Sequence, residues 1–300
     1  MLDYHLHLWP HGPRPLEATL EQVAAYCAAA QAAGVAEIAL TEHLFRFRQA
    51  DAVLGGWWSD LDEPVLGPVM GEWWASEQGG DLDQYVEVVV AAKAAGLPVV
   101  LGLEVDHYPG RMHQVADLLA GYPFDVLLGS VHWLGAWGFD NFGQDAFAAE
   151  WDVRAIDDVW DTYTTHLEEL ADSGVCDVLA HPDLCKISGR RPDVPDEFHH
   201  RMAEAAARSG MAAEVSSAGW LKPVGEAYPS PALLDCFHAA GVPVTTASDA
   251  HGLGHVAERR DDLATLLTGA GYDALAAYRQ RRRRTVPLES PAPSASVGLA

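Results

Sequence analysis

Leu2-Asp-Tyr-His-Leu-His7 is a short apolar run that finishes in two histidines spaced two apart. Residues i and i+2 of a β-strand share one face, so both imidazoles of such a strand can reach a single ion. The same design recurs along the chain. Runs rich in Val, Leu and Ala at Leu2–Leu6, Glu37–Thr41, Pro98–Leu103, Asp125–Ser130, Asp177–Ala180, Ala212–Val215 and Pro243–Ala247 read as strands. Helix-period segments separate them. Leu16, Leu20, Val23 and Cys27 recur at helical steps, with Pro15 near the first turn and Gly34 as a stop. Asp81-Leu-Asp-Gln84 has the pattern of a capping box, Ile156 to Leu170 carries an apolar stripe, and Ser230-Pro231 reads as N-cap and first-turn proline. Seven strands alternating with helices predict an α/β architecture of parallel βα units, either an open doubly wound sheet or a barrel.

No composition break divides these units, so residues 1–284 are expected to form a single domain. Two segments depart from the pattern. Residues 46–80 form an insertion with Trp57-Trp58 and Trp73-Trp74. It can pack on the barrel flank, the preferred reading, or lie over the mouth as a lid. The basic run Arg281–Arg284 reads as a solvated helix end, and residues 285–300 as a disordered tail.

The chain has 300 residues, with 19 Lys and Arg against 43 Asp and Glu, and a net charge of −24. Such a field repels phosphate backbones and anionic lipid, so neither a nucleic-acid nor a membrane partner is expected. Cys27, Cys176, Cys185 and Cys236 form no C-x-x-C pair and read as reduced thiols. Met1-Leu-Asp-Tyr4 is not the basic start of a signal peptide, and no apolar run reaches the ~18 residues of a membrane span. A cytoplasmic location is the expectation. Nothing in the sequence speaks to oligomeric state. The 14 histidines, in a chain this acidic, point to metal.

The chemistry gathers where strands end. Besides His5 and His7, the carboxyl ends carry Thr41-Glu42-His43, Gly102-Leu103-Glu104, Ser130-Val131-His132-Trp133, Ala180-His181-Pro182-Asp183 and Ser248-Asp249-Ala250-His251. In a barrel those ends converge on one mouth. Any one of these residues alone could be a satisfied core histidine, a paired acid or a helix cap. Together they form a repeated placement, and burying the set without a cation would leave many polar groups unsolvated. Gly252-Leu-Gly254-His-Val-Ala257 fits a loose dinucleotide fingerprint but lacks the acidic strand end that should follow, and no P-loop or G-x-S-x-G elbow is present.

The ordered set His5-x-His7, His43, Glu104, His132, His181 and Asp249-x-His251 resembles the polymerase and histidinol phosphatase (PHP) superfamily. Three stretches are similar to its monofunctional histidinol-phosphatase branch: Gly102-Leu-Glu-Val-Asp106, Gly129-Ser-Val-His-Trp-Leu-Gly-Ala-Trp137, and Glu214-Val-Ser-Ser-Ala-Gly219 with Tyr228-Pro-Ser230. The resemblance implies a distorted (β/α)₇ TIM-like barrel holding two or three divalent ions, with Zn²⁺, Mn²⁺ or Fe suited to the nitrogen and carboxylate donors. It implies His5, His7, Glu104 and Asp249 on a first ion. Glu104 would bridge to a second ion completed by His132 and His181, with His43 and His251 on a third. That third site takes another histidine from the loop after the first strand, and His11 is the candidate in a loop shorter than the pattern. The implied reaction is hydrolysis of L-histidinol phosphate to L-histidinol and phosphate, in histidine biosynthesis.

Glu104 and Asp249 are thereby expected at the reacting centre. His255, Asp106 and Asp183 are candidates to orient the substrate or protonate its leaving group. Lys222, Arg190 and Arg191 are candidate phosphate contacts, and Trp133 a candidate wall of the substrate pocket. Two other readings share part of these motifs: a nucleotide or sugar phosphoesterase on the same scaffold, and a non-catalytic PHP module. The complete ligand set argues against the latter.

Overall fold

The computed structural model describes residues 1–289. All seven expected strands form, as β1 (Leu2–Leu6), β2 (Glu37–Leu40), β3 (Val99–Asp106), β4 (Val126–Ser130), β5 (Val178–Leu179), β6 (Ala212–Ser216) and β7 (Val244–Ala247). They lie in one sheet in chain order, each paired parallel to the next, with registers such as Leu2↔Glu37, Ile38↔Val99 and Ala213↔Val244. Every residue of these strands is buried, as expected of parallel strands covered on both faces. Gly102 permits the close pass of β2 and β3, because a Cβ there would stand 2.6 Å from Thr41 Cγ2 and 3.0 Å from Leu40 O.

The sheet curls into a nearly closed barrel, of the two architectures the sequence allowed. The seam between β1 and β7 is held by side chains and single bonds instead of a full ladder. Asp3 accepts hydrogen bonds from Ser248 N (2.8 Å), Ser248 Oγ (2.7 Å) and Ala257 N (2.8 Å). Thr246 Oγ1 donates to Leu2 O at 2.7 Å, and His7 N to Ala250 O at 2.9 Å.

Helices α1 (Leu20–Ala32), α2 (Arg48–Leu54), α3 (Leu66–Glu77), α4 (Leu82–Ala94), α5 (Met112–Leu119), α6 (Asp145–Val153), α7 (Ile156–Asp172), α8 (Asp196–Ser209), α9 (Pro231–Ala239) and α10 (Arg260–Gly269) surround it. α1 starts later than Pro15 suggests, because Thr19 caps it by accepting Gln22 N at 3.1 Å. Asp81 caps α4 through Asp83 N, but Gln84 turns away to bond the backbone of Ala18, so the capping box does not close. Ser230 and Pro231 open α9 as expected.

The basic run is not a helix end. Ala274–Arg279 (β8) and Arg282–Pro287 (β9) form an antiparallel hairpin, pairing Ala274 with Pro287 and Arg279 with Arg282. It packs against the floor of the barrel, at the start of the strands. There Arg279 and Arg284 pair with Glu37, and Arg281 with Asp177, while Gln280 N donates to Asp125 Oδ1 at 3.1 Å. These acids absorb the charge that would otherwise favour a solvated end. Thr285–Pro287, read as the start of the tail, are therefore strand residues. Of the rest of the predicted tail, Leu288 N donates to Asp273 O at 2.8 Å, and 290–300 lie outside the described residues. No helix among the described residues is long and apolar enough to cross a membrane.

Candidate metal centre

The carboxyl ends of β1, β2, β3, β4, β5 and β7 bring His5, His7, His43, Glu104, His132, His181, Asp249 and His251 around one cavity floor. His5 Nε2 and His7 Nε2 lie 3.3 and 3.6 Å from Glu104 Oε2, and 3.8 and 3.5 Å from Asp249 Oδ1. Four donors arranged tetrahedrally about 2.1 Å from one ion stand about 3.4 Å apart. These spacings match that figure and are too long for charge-assisted hydrogen bonds. The other oxygen of the same carboxylate, Glu104 Oε1, faces His181 Nε2 at 3.1 Å and His132 Nε2 at 3.5 Å. Glu104 thus divides its two oxygens between two sets of imidazoles. That is the geometry of a bridge.

His43 has both nitrogens engaged with the cluster: Nδ1 is 2.6 Å from Glu104 Oε2, and Nε2 is 3.4 Å from His251 Nε2. Four sets of donor atoms fall within 4.8 Å of one another: His5–His7–Asp249, His7–His43–His251, His5–Glu104–His181 and His43–Glu104–His132. His43 therefore stands between the sets and is not confined to a third one. His11 comes alongside, its ring 4.9 Å from that of His251 and 5.1 Å from that of His43.

Whether these residues suit a cation can be judged from their own bonding. His5 Nε2, both nitrogens of His7 and His181 Nδ1 are buried without a hydrogen-bond partner. Leaving so many buried polar atoms unpaired is costly, and divalent cations would satisfy them. Backbone strain is concentrated here too. His181 and Asp249 hold φ of 28° and 54°, a region that costs a non-glycine residue about 1 kcal/mol or more. Burial opposes the charge on Glu104, but His5, His43 and His132 outweigh it and hold the carboxyl well below its usual range. Burial likewise opposes charging His132, yet Glu104 and Asp106 raise it to about 10. His43 and His251 are pushed well below the usual imidazole range, by burial first and by His7 second.

A ring of carboxylates outside this layer fixes the imidazoles. Glu214 Oε2 is 2.7 Å from His5 Nδ1, and Asp106 Oδ1 is 2.6 Å from His132 Nδ1. In each case the carboxylate accepts from Nδ1–H and so directs Nε2 toward the cavity. The wholly buried Arg46 donates to Trp9 O at 2.7 Å and lies 3.1 Å from Glu42 Oε2, 3.3 Å from Glu77 Oε2 and 3.1 Å from His11 Nδ1. Glu42, Arg46, Glu77 and Glu214 were not singled out as site residues from the sequence. For Glu214 a signal existed, because it sits in β6 as Glu104 sits in β3.

The cavity above has a volume of about 590 Å³. Phe45, Trp73 and Trp133 form an apolar wall, with Phe45 and Trp73 rings 5.1 Å apart, and Asp140 and Tyr228 also line it. Among the described residues lining it, Lys222 is the lone lysine or arginine. The insertion packs against the cavity wall and sends one ring to the cavity. Trp57 and Trp74 pack behind Trp133, at 5.5 and 6.5 Å between rings, while Trp73 reaches the mouth.

Several expected contacts lie elsewhere. His255 faces solvent on a 3₁₀ turn and pairs with Glu258. Arg190 is exposed, and Arg191 is held by Glu226 at 2.8 Å; neither lines the cavity. Asp106 backs His132 as described, and Asp183 is occupied by Lys186 (2.9 Å) and Ser230 N (2.8 Å), so neither faces substrate space.

Residues 5–218 match the model of the PHP domain. The chain belongs to the PHP domain family. A relative from Deinococcus radiodurans, described as a probable histidinol-phosphatase, is 33% identical over 249 residues, covering 82% of this chain and 86% of the relative. The fold is shared with two solved structures. One is the histidinol phosphate phosphatase of Lactococcus lactis subsp. lactis complexed with zinc, L-histidinol and phosphate, with a TM-score of 0.65 and 18% identity over 94% of this chain and 98% of that one. The other, from Listeria monocytogenes and described as a putative histidinol phosphatase, has a TM-score of 0.67 and 20% identity over 87% of this chain and 99% of that one. The PHP match stops before Asp249 and His251, which β7 adds to the same cluster.

Proposed function

We propose that this chain is a metal-dependent histidinol-phosphatase that hydrolyses L-histidinol phosphate to L-histidinol and phosphate. The observation that carries the reading is Glu104, whose two oxygens serve two imidazole sets at the floor of an aromatic-walled cavity. The family relative described as a histidinol-phosphatase supports the substrate.

His5, His7, Glu104, Asp249, His132 and His181 would hold two ions, and His43 and His251, with His11 beside them, a third; Zn²⁺, Mn²⁺ and Fe all suit these donors. When bound, such ions lower the pKa of water toward ~7 and neutralise phosphoryl oxygens in an in-line displacement. The chain's own groups do the rest. Lys222 gives the phosphate a positive neighbour in a protein of net charge −24. Tyr228 closes the same side of the cavity with a buried ring. Asp140 suits the substrate's ammonium, and the wall of Phe45, Trp73 and Trp133 suits its imidazole. Glu214 and Asp106 hold their histidines in the tautomer that faces inward. A cytoplasmic location and a small-molecule phosphomonoester as the partner follow from this reading.

Phosphate release from a panel of phosphomonoesters, with metal-loaded protein and a chelated control, tests it. Histidinol phosphate should give the highest kcat/KM, and the chelated protein should be inactive. Turnover of nucleotide or sugar phosphates at the same efficiency would refute the substrate assignment.

A further inference from the structure

Seven of the 14 histidines lie outside the set at the barrel mouth and the adjacent His11, or on the surface away from it, and two of them converge elsewhere. Among the described residues, one further group of ligand-type side chains comes together: His107, His166 and Glu169, with a donor atom of each within 4.8 Å of the others. His107 directly follows the end of β3. Its backbone is pinned on both sides, N–H donating to Ser130 O at 2.8 Å and C=O accepting from Trp133 Nε1 at 3.2 Å. His166 and Glu169 are three apart on α7 and share a face toward it. The two imidazole centroids are 5.1 Å apart.

An ordinary ion pair does not account for the group. His107 Nε2 is 3.4 Å from Glu169 Oε2, long for a charge-assisted bond. Burial drives His107 down to about 3, with His166 adding to the effect, so the ring is neutral at physiological pH. His107 is 3% exposed, and its Nδ1 and that of His166 are buried without partners. The Glu169 side chain is 53% exposed, which leaves a solvent side open. Neutral imidazoles with unused lone pairs, beside a carboxylate and an open position, are the donor set of a three-ligand zinc site.

We propose that His107, His166 and Glu169 form a second metal site, separate from the barrel mouth, that binds zinc and staples the loop after β3 to α7. The site lies one residue from Asp106, the carboxylate that orients His132, and beside Trp133 of the cavity wall. A bound ion there holds both in place without touching substrate. The site does not depend on the phosphatase reading, since a chain inactive on every phosphomonoester would still bind this zinc.

Zinc bound per chain is measured by equilibrium dialysis of the full chain at micromolar free zinc, for the native protein and for His166→Ala, with circular dichroism to check folding. The variant should bind one zinc fewer than the native chain. An unchanged zinc count in the folded variant would overturn the site. Should His166→Ala fail to fold, Glu169→Ala, at a half-exposed position, decides by the same criterion.

Discussion

Glu104→Gln replaces a carboxylate by an amide of nearly the same shape, at a place with no access to water. Oε2 serves His5 and His7 at 3.3 and 3.6 Å, and Oε1 serves His181 and His132 at 3.1 and 3.5 Å. Whichever way the amide turns, an NH₂ group faces one of the two sets and offers hydrogens where a lone pair is needed. The negative charge is lost as well. Removing one partner from a buried charge cluster costs about 3–5 kcal/mol. That cost falls on stability; for activity, partners outside the ligand layer alone are worth about 10–100-fold, and a residue reaching both imidazole sets should exceed that, with a fall of about 10²–10⁴ in kcat/KM. Phosphate release from histidinol phosphate at saturating zinc or manganese measures the fall, alongside metal content and circular dichroism. The expected outcome is a folded chain with reduced metal content and the stated loss. Native activity with a full metal complement would refute the bridging role of Glu104.

Glu214→Gln should weaken metal affinity by about 10–100-fold, because the amide lacks the carboxylate's charge and can offer its one oxygen to His5 Nδ1 only by turning its NH₂ toward His181 N–H; activity should return at high metal, and superimposable metal-activation curves for variant and native protein would exclude that role. Zinc binding should also acidify a weakly buffered solution at pH 8. His132, raised to about 10 once Glu104 and Asp106 outweigh its burial, carries a proton in the metal-free chain that the ion must displace. Release should diminish as the pH passes about 10, where the ring is already neutral. An indicator dye that reports no acidification at pH 8 would contradict this.

The barrel and the inner ligands were legible for one reason: strands end at fixed places, and an ion needs specific side chains at those ends. His5, His7, Glu104, His132, His181 and Asp249 therefore stand out in the one-dimensional pattern. The carboxylates behind them do not. Glu77 approaches His11 from a helix 65 residues or so further along the chain, and Glu214 meets His5 across the barrel; no local spacing marks either pairing. Arg46, at the start of the insertion, is fully buried because its partners Glu42, Glu77 and Trp9 are brought together only by the fold. The outward turn of His255 was equally hidden, since a short 3₁₀ turn decides it.

The hairpin was missed for a different reason. Its two turn residues, Gln280 and Arg281, hold φ of 49° and 63°, the left-handed pair of a tight hairpin that sequences usually announce with Asn-Gly or Asp-Gly. Without that signal, four consecutive arginines show no alternation to read. Ala274 to Tyr278, buried along most of their length, meet the barrel floor through Tyr278, whose N–H donates to Tyr4 Oη at 3.3 Å and whose hydroxyl donates to Asp177 O at 3.2 Å.

That hairpin also bears on how the molecule is made. Glu37, Asp125 and Asp177 leave the ribosome long before the guanidinium groups that neutralise two of them and the turn that caps the third. A nascent chain shorter than about 280 residues already pairs Asp125 with Lys93, but would hold Glu37 and Asp177 at the base of an otherwise complete barrel without their counter-charges. Folding during synthesis can therefore reach a full set of strands and still wait for its final arginines before the base is sealed.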